Sequence, residues 1–310
     1  MRTHKFAIVL LVLLLLFTGC GGPRPGAAPD DQRALPAGDG KSFPQPPGAE
    51  QPVEKPAGAG ILKVHFLDVG QADSILVQLP NGQVMLIDAG NNDDGPFVVS
   101  YLKRQGIKKI DYLVGTHPHE DHLGGLDDVI RSFDIGRVYM PRVTATTKTF
   151  EDVLLAIKKK GLKIAAAGAG VTVVDQDGLK VNFIAPAGSG YEDLNNWSAV
   201  TGIQYGAAAF LFTGDAEAQS EEEMLTSGAN LKADVLKVGH HGSSTSTTPA
   251  FLKAVAPKYA VISAGAGNDY GHPHKETLAR LKKAGVKVYR TDLDGTVVFT
   301  SDGKTVTRNK

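Results

Sequence analysis

Thr116-His117-Pro118-His119-Glu120-Asp121-His122, followed at once by Leu123-Gly124-Gly125, is the stretch around which the chain is organised. It sets three imidazoles and the Asp121 carboxylate within six residues, a density that suits a cation. The preceding run, Ile110-Asp111-Tyr112-Leu113-Val114-Gly115, is apolar and β-branched or aromatic and reads as a short buried strand. The cluster therefore lies in a loop at a strand end, with a helix opening behind it from Leu126 to Phe133. An H-x-H step in an extended loop sends both rings to one side, while Asp121 and His122 reach a second, adjacent position. That spacing suits two neighbouring metal sites of imidazole and carboxylate, ligands that zinc and manganese accept.

The 310-residue chain opens Met1-Arg2-Thr3-His4-Lys5, runs apolar from Phe6 to Phe17 and continues Thr18-Gly19-Cys20-Gly21. A basic start and an apolar run of about a dozen residues form a secretory signal, too short for a comfortable membrane span. Leu16-Phe17-Thr18-Gly19-Cys20 resembles the bacterial lipobox, with Phe17 where leucine is usual, so residues 1–20 are expected to be a signal whose Cys20 becomes the lipidated mature N-terminus. Cys20 is the only cysteine, which excludes disulfides within the chain. Residues 21–60 are rich in Pro, Gly, Ala and Gln and read as a disordered spacer. The expected location is the extracellular face of the cell membrane, or the medium.

Residues 61–310 are long enough for one two-layer core, and no Pro/Gly/Ser-rich break divides them. Lys+Arg and Asp+Glu are balanced at 33 each, against a broad basic surface for nucleic acid, although a local groove is compatible with that balance. Strand patterns occupy 61–70, 73–79 and 84–88, with Pro80-Asn81-Gly82 as a hairpin turn, and a helix follows at 97–105. After the metal-type loop come a strand at 137–140, a helix at 150–160 and a strand at 162–166, then hairpin texture at 171–174, 179–185, 199–205 and 208–212. Helices at 216–226, 249–254 and 275–284 alternate with strands at 234–238, 259–263, 286–290 and 295–300. This order predicts an α/β fold of the αββα sandwich type, two mixed sheets face to face with helices outside. A doubly wound parallel sheet competes, and the early hairpins count against it.

Three further candidates follow strands. Asp215 ends Phe210-Leu211-Phe212-Thr213-Gly214-Asp215, where a carboxylate caps a helix or bridges two cations. His240 and His241 follow strand 234–238 and look like a ligand plus a substrate contact. Gly271-His272-Pro273-His274 closes the set, either as site residues or as a polar turn before a helix.

These residues resemble the metallo-β-lactamase fold superfamily, whose H-x-H-x-D-H signature is met by His117, His119, Asp121 and His122. More narrowly, Phe66 to Asp73, Leu86 to Gly90, Leu211 to Asp215, Lys237 to Ser243 and Tyr270 to Pro273 are similar, in order, to the soluble domain of ComEC-type competence DNA-uptake proteins. Ala72 replaces a glycine of that family's D-V-G-Q-G-D, and its multi-span channel has no counterpart, which implies a free-standing, tethered relative. No histidine lies between Asp128 and Asp215, where many members supply a third ligand to the first metal. The resemblance implies His117, His119 and Asp215 at a weaker first site, with help from Asn196 or Ser198. It implies Asp121, His122, Asp215 and His240 at a second. The cofactor is then one or two divalent ions, zinc or manganese.

Cations bridged by Asp215 would lower the pKa of a bound water and stabilise charge on a reacting ester. Asp121 is expected to steer the water and His241 or His272 to donate a proton to the leaving oxygen. Ser243 and Ser244, with Thr245, are expected to hold phosphate oxygens through hydroxyls and backbone N–H groups, as Asn196 and Ser198 hold substrate. The reading is a metal-dependent hydrolase acting on DNA or another phosphodiester, with a membrane as partner through Cys20 and no protein partner inferable. The alternatives are hydrolysis of a phosphocholine ester, lactone or β-lactam, and a catalytically silent domain that grips DNA or a wall polymer.

Overall fold

Every residue of Val84-Met85-Leu86-Ile87 is buried, which a strand achieves only when both faces are covered. Met85 and Ile87 enter one apolar cluster and Val84 and Leu86 another, the period-2 alternation of a strand between two layers. The same division runs through the computed structural model, which describes residues 60–309.

In chain order the elements are β1 (Leu62–Phe66), β2 (Ile75–Gln78), β3 (Val84–Ile87), α1 (Gly95–Arg104), β4 (Lys109–Val114), α2 (Glu120–Leu123), α3 (Leu126–Ser132), β5 (Asp134–Met140), α4 (Lys148–Lys159), β6 (Ile164–Ala166), β7 (Thr172–Gln176) and β8 (Leu179–Phe183). They continue with β9 (Thr201–Tyr205), β10 (Ala208–Phe212), α5 (Ala218–Thr226), β11 (Val235–Lys237), α6 (Pro249–Val255), β12 (Tyr259–Ile262), α7 (Lys275–Lys283), β13 (Lys287–Arg290), α8 (Thr291–Asp294), β14 (Val297–Ser301) and β15 (Val306–Asn309).

One sheet has the order β15-β14-β1-β2-β3-β4-β5-β6 and the other β13-β12-β11-β10-β9-β8-β7. Phe66, Phe183, Tyr205, Phe210, Phe212 and Phe299 fill the space between them. Helices α1, α3 and α4 cover the outer face of the first sheet through Val98, Leu102, Val129, Ile130, Phe150 and Val153. Met224, Phe251, Leu252 and Leu281 from α5, α6 and α7 do the same for the second. This is the αββα sandwich the sequence predicts. The doubly wound alternative fails because β1-β2-β3 and β7-β8-β9-β10 are antiparallel meanders.

Beyond those meanders the strands turn parallel: β3 with β4, and β10 with β11 and β12. Parallel neighbours end at the same edge, so the segments after these five strands gather at one rim. Two glycines draw that rim tight. A Cβ on Gly124 would fall 2.1 Å from the Asn91 carbonyl carbon, and one on Gly125 would fall 2.4 Å from the Ala89 oxygen. Their absence lets the turn after His122 lie directly on the segment that follows β3.

The strand expected from Arg137 begins three residues earlier, at Asp134, and Glu120–Leu123 forms one helical turn inside the expected loop. Strand β15 is an addition. Its Val306-Thr307-Arg308-Asn309 sets only Val306 against the inter-sheet core and otherwise holds its place by pairing with β14. The signal segment with Cys20, and the spacer up to residue 59, lie outside the described residues. Among the described residues no helix is long and apolar enough to cross a membrane.

Candidate metal centre

Asp88 follows β3 in the left-handed region (φ 59°), which turns its carboxylate toward the end of β4. There it accepts the Thr116 N–H at 2.8 Å and the Thr116 hydroxyl at 2.7 Å, and its Oδ2 lies 2.8 Å from His122 Nδ1. Burial raises the Asp88 carboxyl above the usual carboxylate range, against the pull of His122 and Thr116. With Nδ1–H directed at Asp88, His122 aims Nε2 into the interior. That nitrogen is buried, lies 3.2 Å from Asp215 Oδ2, and makes no hydrogen bond of good geometry.

Asp215 follows β10, its N–H donated to the Ser198 hydroxyl at 3.0 Å. Its Oδ2 is a hub, 3.2 Å from His122 Nε2, 3.4 Å from His241 Nε2, 3.9 Å from His240 Nε2 and 4.0 Å from His117 Nε2. His241 Nδ1 donates to the Ser263 carbonyl at 3.0 Å, which leaves Nε2 facing Asp121 Oδ2 at 3.1 Å. Asp121, His122, Asp215 and His241 thus offer ligand atoms that all lie within 4.8 Å of one another. Beside them, His117 Nε2 and His119 Nδ1 meet at 3.0 Å. Imidazole nitrogens that close share a proton or serve one ion.

Charge decides what the pocket is made for. Lys237 points inward from β11 and is fully buried, with Nζ 2.6 Å from Asp73 Oδ2, 3.0 Å from the Gly214 carbonyl and 3.7 Å from Asp215 Oδ1. That one ammonium acts on the carboxylates of Asp73, Asp215 and Asp88, and Asp121 adds a fourth carboxylate to the pocket. The imidazoles make up the deficit. Burial opposes their charge, yet Asp215 and Asp121 raise His122 well above its ordinary range and His241 to about 9. Burial and the neighbouring His122 drive His117 well below it. In return, despite burial, His122 and His241 hold the carboxyls of Asp121 and Asp215 well below the usual carboxylate range. His122 Nε2, Asp215 Oδ1 and Asp73 Oδ1 are all buried without a hydrogen-bond partner. A carboxylate-rich, electron-rich, partly unsatisfied donor set of this kind fits a divalent cation.

The two adjacent histidines, expected as ligand (His240) and proton donor (His241), both turn Nε2 toward Asp215, and His241 comes nearer. His240, expected as a ligand, gives Nδ1 to Glu217 Oε1 at 2.9 Å and stands outside the four-residue group, whereas His241, expected as a proton donor, belongs to it. Both residues adopt left-handed backbone (φ 47° and 50°), which splays the rings. His272 reaches the site edge, its ring centroid 5.4 Å from that of His240 and 6.3 Å from that of His241. Burial, then the neighbouring histidines, lower its pKa to about 4.

Asn196 and Ser198, expected at the substrate, serve the scaffold. Asn196 Oδ1 accepts the N–H groups of Glu217 and Ser220 at the start of α5. Ser198, fully buried, holds the Asp215 N–H and lies 3.4 Å from His117 Nδ1. Around Ser243, Ser244 and Thr245, expected to hold phosphate oxygens, the backbone N–H groups are already bonded within the protein. Ser243, Thr245 and Ser246 N–H groups bond within the loop, Ser244 N–H bonds His274 Nδ1, and Thr247 and Thr248 N–H groups bond Glu221. Ser243 is buried against Thr245, and only Ser244 and Thr245 of this run up to Ser246 are exposed. Arg280 donates to the carbonyls of Ser244, Ser246 and Thr247, so it clamps this loop instead of facing solvent.

Asp73, Asp88, Glu217 and Lys237 were not singled out from the sequence. Lys237 carried the clearest signal, a charge at the centre of the apolar Val235-Leu236-Lys237-Val238. Asp88 sat in view at a strand end, before Ala89-Gly90.

Residues 67–266 match the family model described as the metallo-beta-lactamase superfamily. The chain is 34% identical over 255 residues to ComE operon protein 3 of Bacillus subtilis (strain 168), a match covering 76% of this chain and 33% of that protein. It is 33% identical over 234 residues to the competence protein ComA of Neisseria gonorrhoeae, covering 75% of this chain and 31% of that one. The chain therefore spans about a third of the length of these curated relatives. Among solved structures it is similar to CmlA, a diiron β-hydroxylase from Streptomyces venezuelae, at a TM-score of 0.50 and 14% identity over 80% of this chain and 54% of that chain. That likeness is one of fold alone.

Proposed function

We propose that this chain, which belongs to the metallo-β-lactamase superfamily, is an exported, Cys20-anchored hydrolase of phosphodiester bonds that depends on zinc or manganese. The observation that carries the reading is the convergence of Asp121, His122, Asp215 and His241 around His122 Nε2 and Asp215 Oδ2. The carboxylate-rich donors and the competence proteins among its relatives support a phosphodiester, DNA first among them, over a β-lactam. So does the lack of any histidine between His122 and His240.

Asp121, His122, Asp215 and His241 would hold one divalent ion, and His117 with His119 would hold a second beside Asp215. Such ions supply Lewis acidity and a lowered pKa for water. The chain's own residues do the rest. Asp88 and the Ser263 carbonyl each take an Nδ1 proton, so that both histidines present Nε2 to the pocket. Lys237 balances Asp215 from the Oδ1 side, leaving Oδ2 to the imidazoles. Glu217 holds the Nδ1 proton of His240, whose ring edges the pocket beside His272.

The test is hydrolysis of bis-p-nitrophenyl phosphate and of single-stranded DNA by the metal-loaded protein, with and without chelator. Asp121→Ala should abolish both while circular dichroism stays native. Turnover unchanged in that variant would overturn the reading, and membrane retention of Cys20→Ser would overturn the anchor.

A further inference from the structure

The segment between β12 and α7 presents one large aromatic side chain to solvent. Tyr270 is 69% exposed, yet its backbone is firmly held. Asn268 Nδ2 donates to the carbonyls of Gly265 (2.9 Å) and His272 (2.7 Å), and Asn268 Oδ1 accepts the N–H groups of Tyr270 (3.2 Å) and His272 (3.0 Å). His274 Nε2 lies 3.2 Å from the Tyr270 carbonyl. From the loop after β1, Gln71 accepts the Gly265 N–H at 3.1 Å and places its amide nitrogen 3.3 Å from His272 Nδ1. A single side-chain amide thus ties the loop internally, and a second ties it to the other sheet.

The ring is also aligned. Tyr270 stacks on His272 with centroids 5.7 Å apart and planes 20° apart, and His272 in turn stacks on His241 at 6.3 Å and 25°. Three nearly parallel rings therefore lead from solvent to a ligand of the metal group. An isolated exposed tyrosine needs no explanation. One held by a braced loop, in register with the pocket, has the form of a platform for a planar group.

We propose that Tyr270 is the stacking platform for a nucleobase beside the scissile phosphodiester, an inference that rests on the phosphodiesterase reading above. Every base offers a π-face, so such a platform favours single-stranded nucleic acid without selecting its sequence. It also asks for no broad basic surface, in keeping with the balanced charge of the chain.

The full chain, loaded with manganese, is given short single-stranded oligonucleotides with a base, or an abasic sugar, next to the cleaved bond. The native protein should prefer the base-bearing substrate by about tenfold in KM, the preference should fall to near one in Tyr270→Ala, and Tyr270→Phe should keep it. An equal preference in native protein and Tyr270→Ala overturns the platform. If no phosphodiester is cleaved, the reading of the metal centre fails instead. Fluorescence anisotropy of a labelled oligothymidylate then decides the platform: weaker binding by Tyr270→Ala supports it, and equal binding overturns it.

Discussion

Asp88 Oδ2 and His122 Nδ1 stand 2.8 Å apart, and the same carboxylate holds both the N–H and the hydroxyl of Thr116. One side chain therefore fixes the tautomer of a ligand and joins the segments that follow β3 and β4. Asp88→Asn keeps the shape and tolerates the left-handed backbone but loses the charge. Metal affinity should fall about 10- to 100-fold, as for other outer partners of ligating histidines, measured by competition with a chromophoric chelator. Unchanged affinity would mean that His122 is oriented by another group.

Which of His240 and His241 is the inner ligand is directly testable. His241→Ala removes a nitrogen that faces both Asp121 and Asp215, whereas His240→Ala removes one held by Glu217. Calorimetric titration with manganese should show the larger loss in His241→Ala. The reverse order would return His240 to the inner ligands.

Lys237 and Asp73 form a buried ion pair at 2.6 Å. Lys237→Met strands a carboxylate without its partner and should cost about 3–5 kcal/mol in urea unfolding with chelator present. Adding Asp73→Asn removes the stranded charge and should recover much of that loss. If the double variant is no more stable than the single one, the cost lies in packing.

A fourth expectation concerns pH. His65 on β1 has Nδ1 2.7 Å from the Tyr101 hydroxyl and Nε2 3.3 Å from Gln78 Oε1. Burial, then Lys63, lower its pKa from 6.5 to about 4. The folded state resists a proton that the unfolded chain accepts. Its contribution is therefore present above pH 6.5 and is lost as pH falls from 6.5 toward about 4. His65→Gln should flatten the stability curve across that window by about 3 kcal/mol, followed by unfolding with chelator present. Parallel curves would show that His65 titrates normally.

The sequence was most legible where burial is periodic. Strand β10 falls on Ala208–Phe212 as predicted, because Phe210 and Phe212 face the sheet interface and Leu211 the helices. It was least legible where orientation depends on distant partners. Which of two consecutive histidines faces the pocket depends on left-handed φ at both, and histidine does not advertise that conformation. Whether the N–H groups after His241 are free depends on Glu221 from α5 and His274 beside α7. Strand β15 has no apolar alternation to read, since Val298↔Asn309 pairing at a sheet edge is its support.

The pairing of β1 with β14, Leu62 opposite Ser301 and Phe66 opposite Val297, also sets a timetable. The first strand of the fold keeps a bare edge until residues 297–301 exist, and contacts this far apart in the chain form late. The pocket needs residues from both sheets, Asp121 from one and His241 from the other. A chain emerging from its N-terminus should thus complete the pocket, and become able to take up an ion, only once residues 297–301 are in place. Chains stopped before Val297 should accordingly retain no manganese after gel filtration.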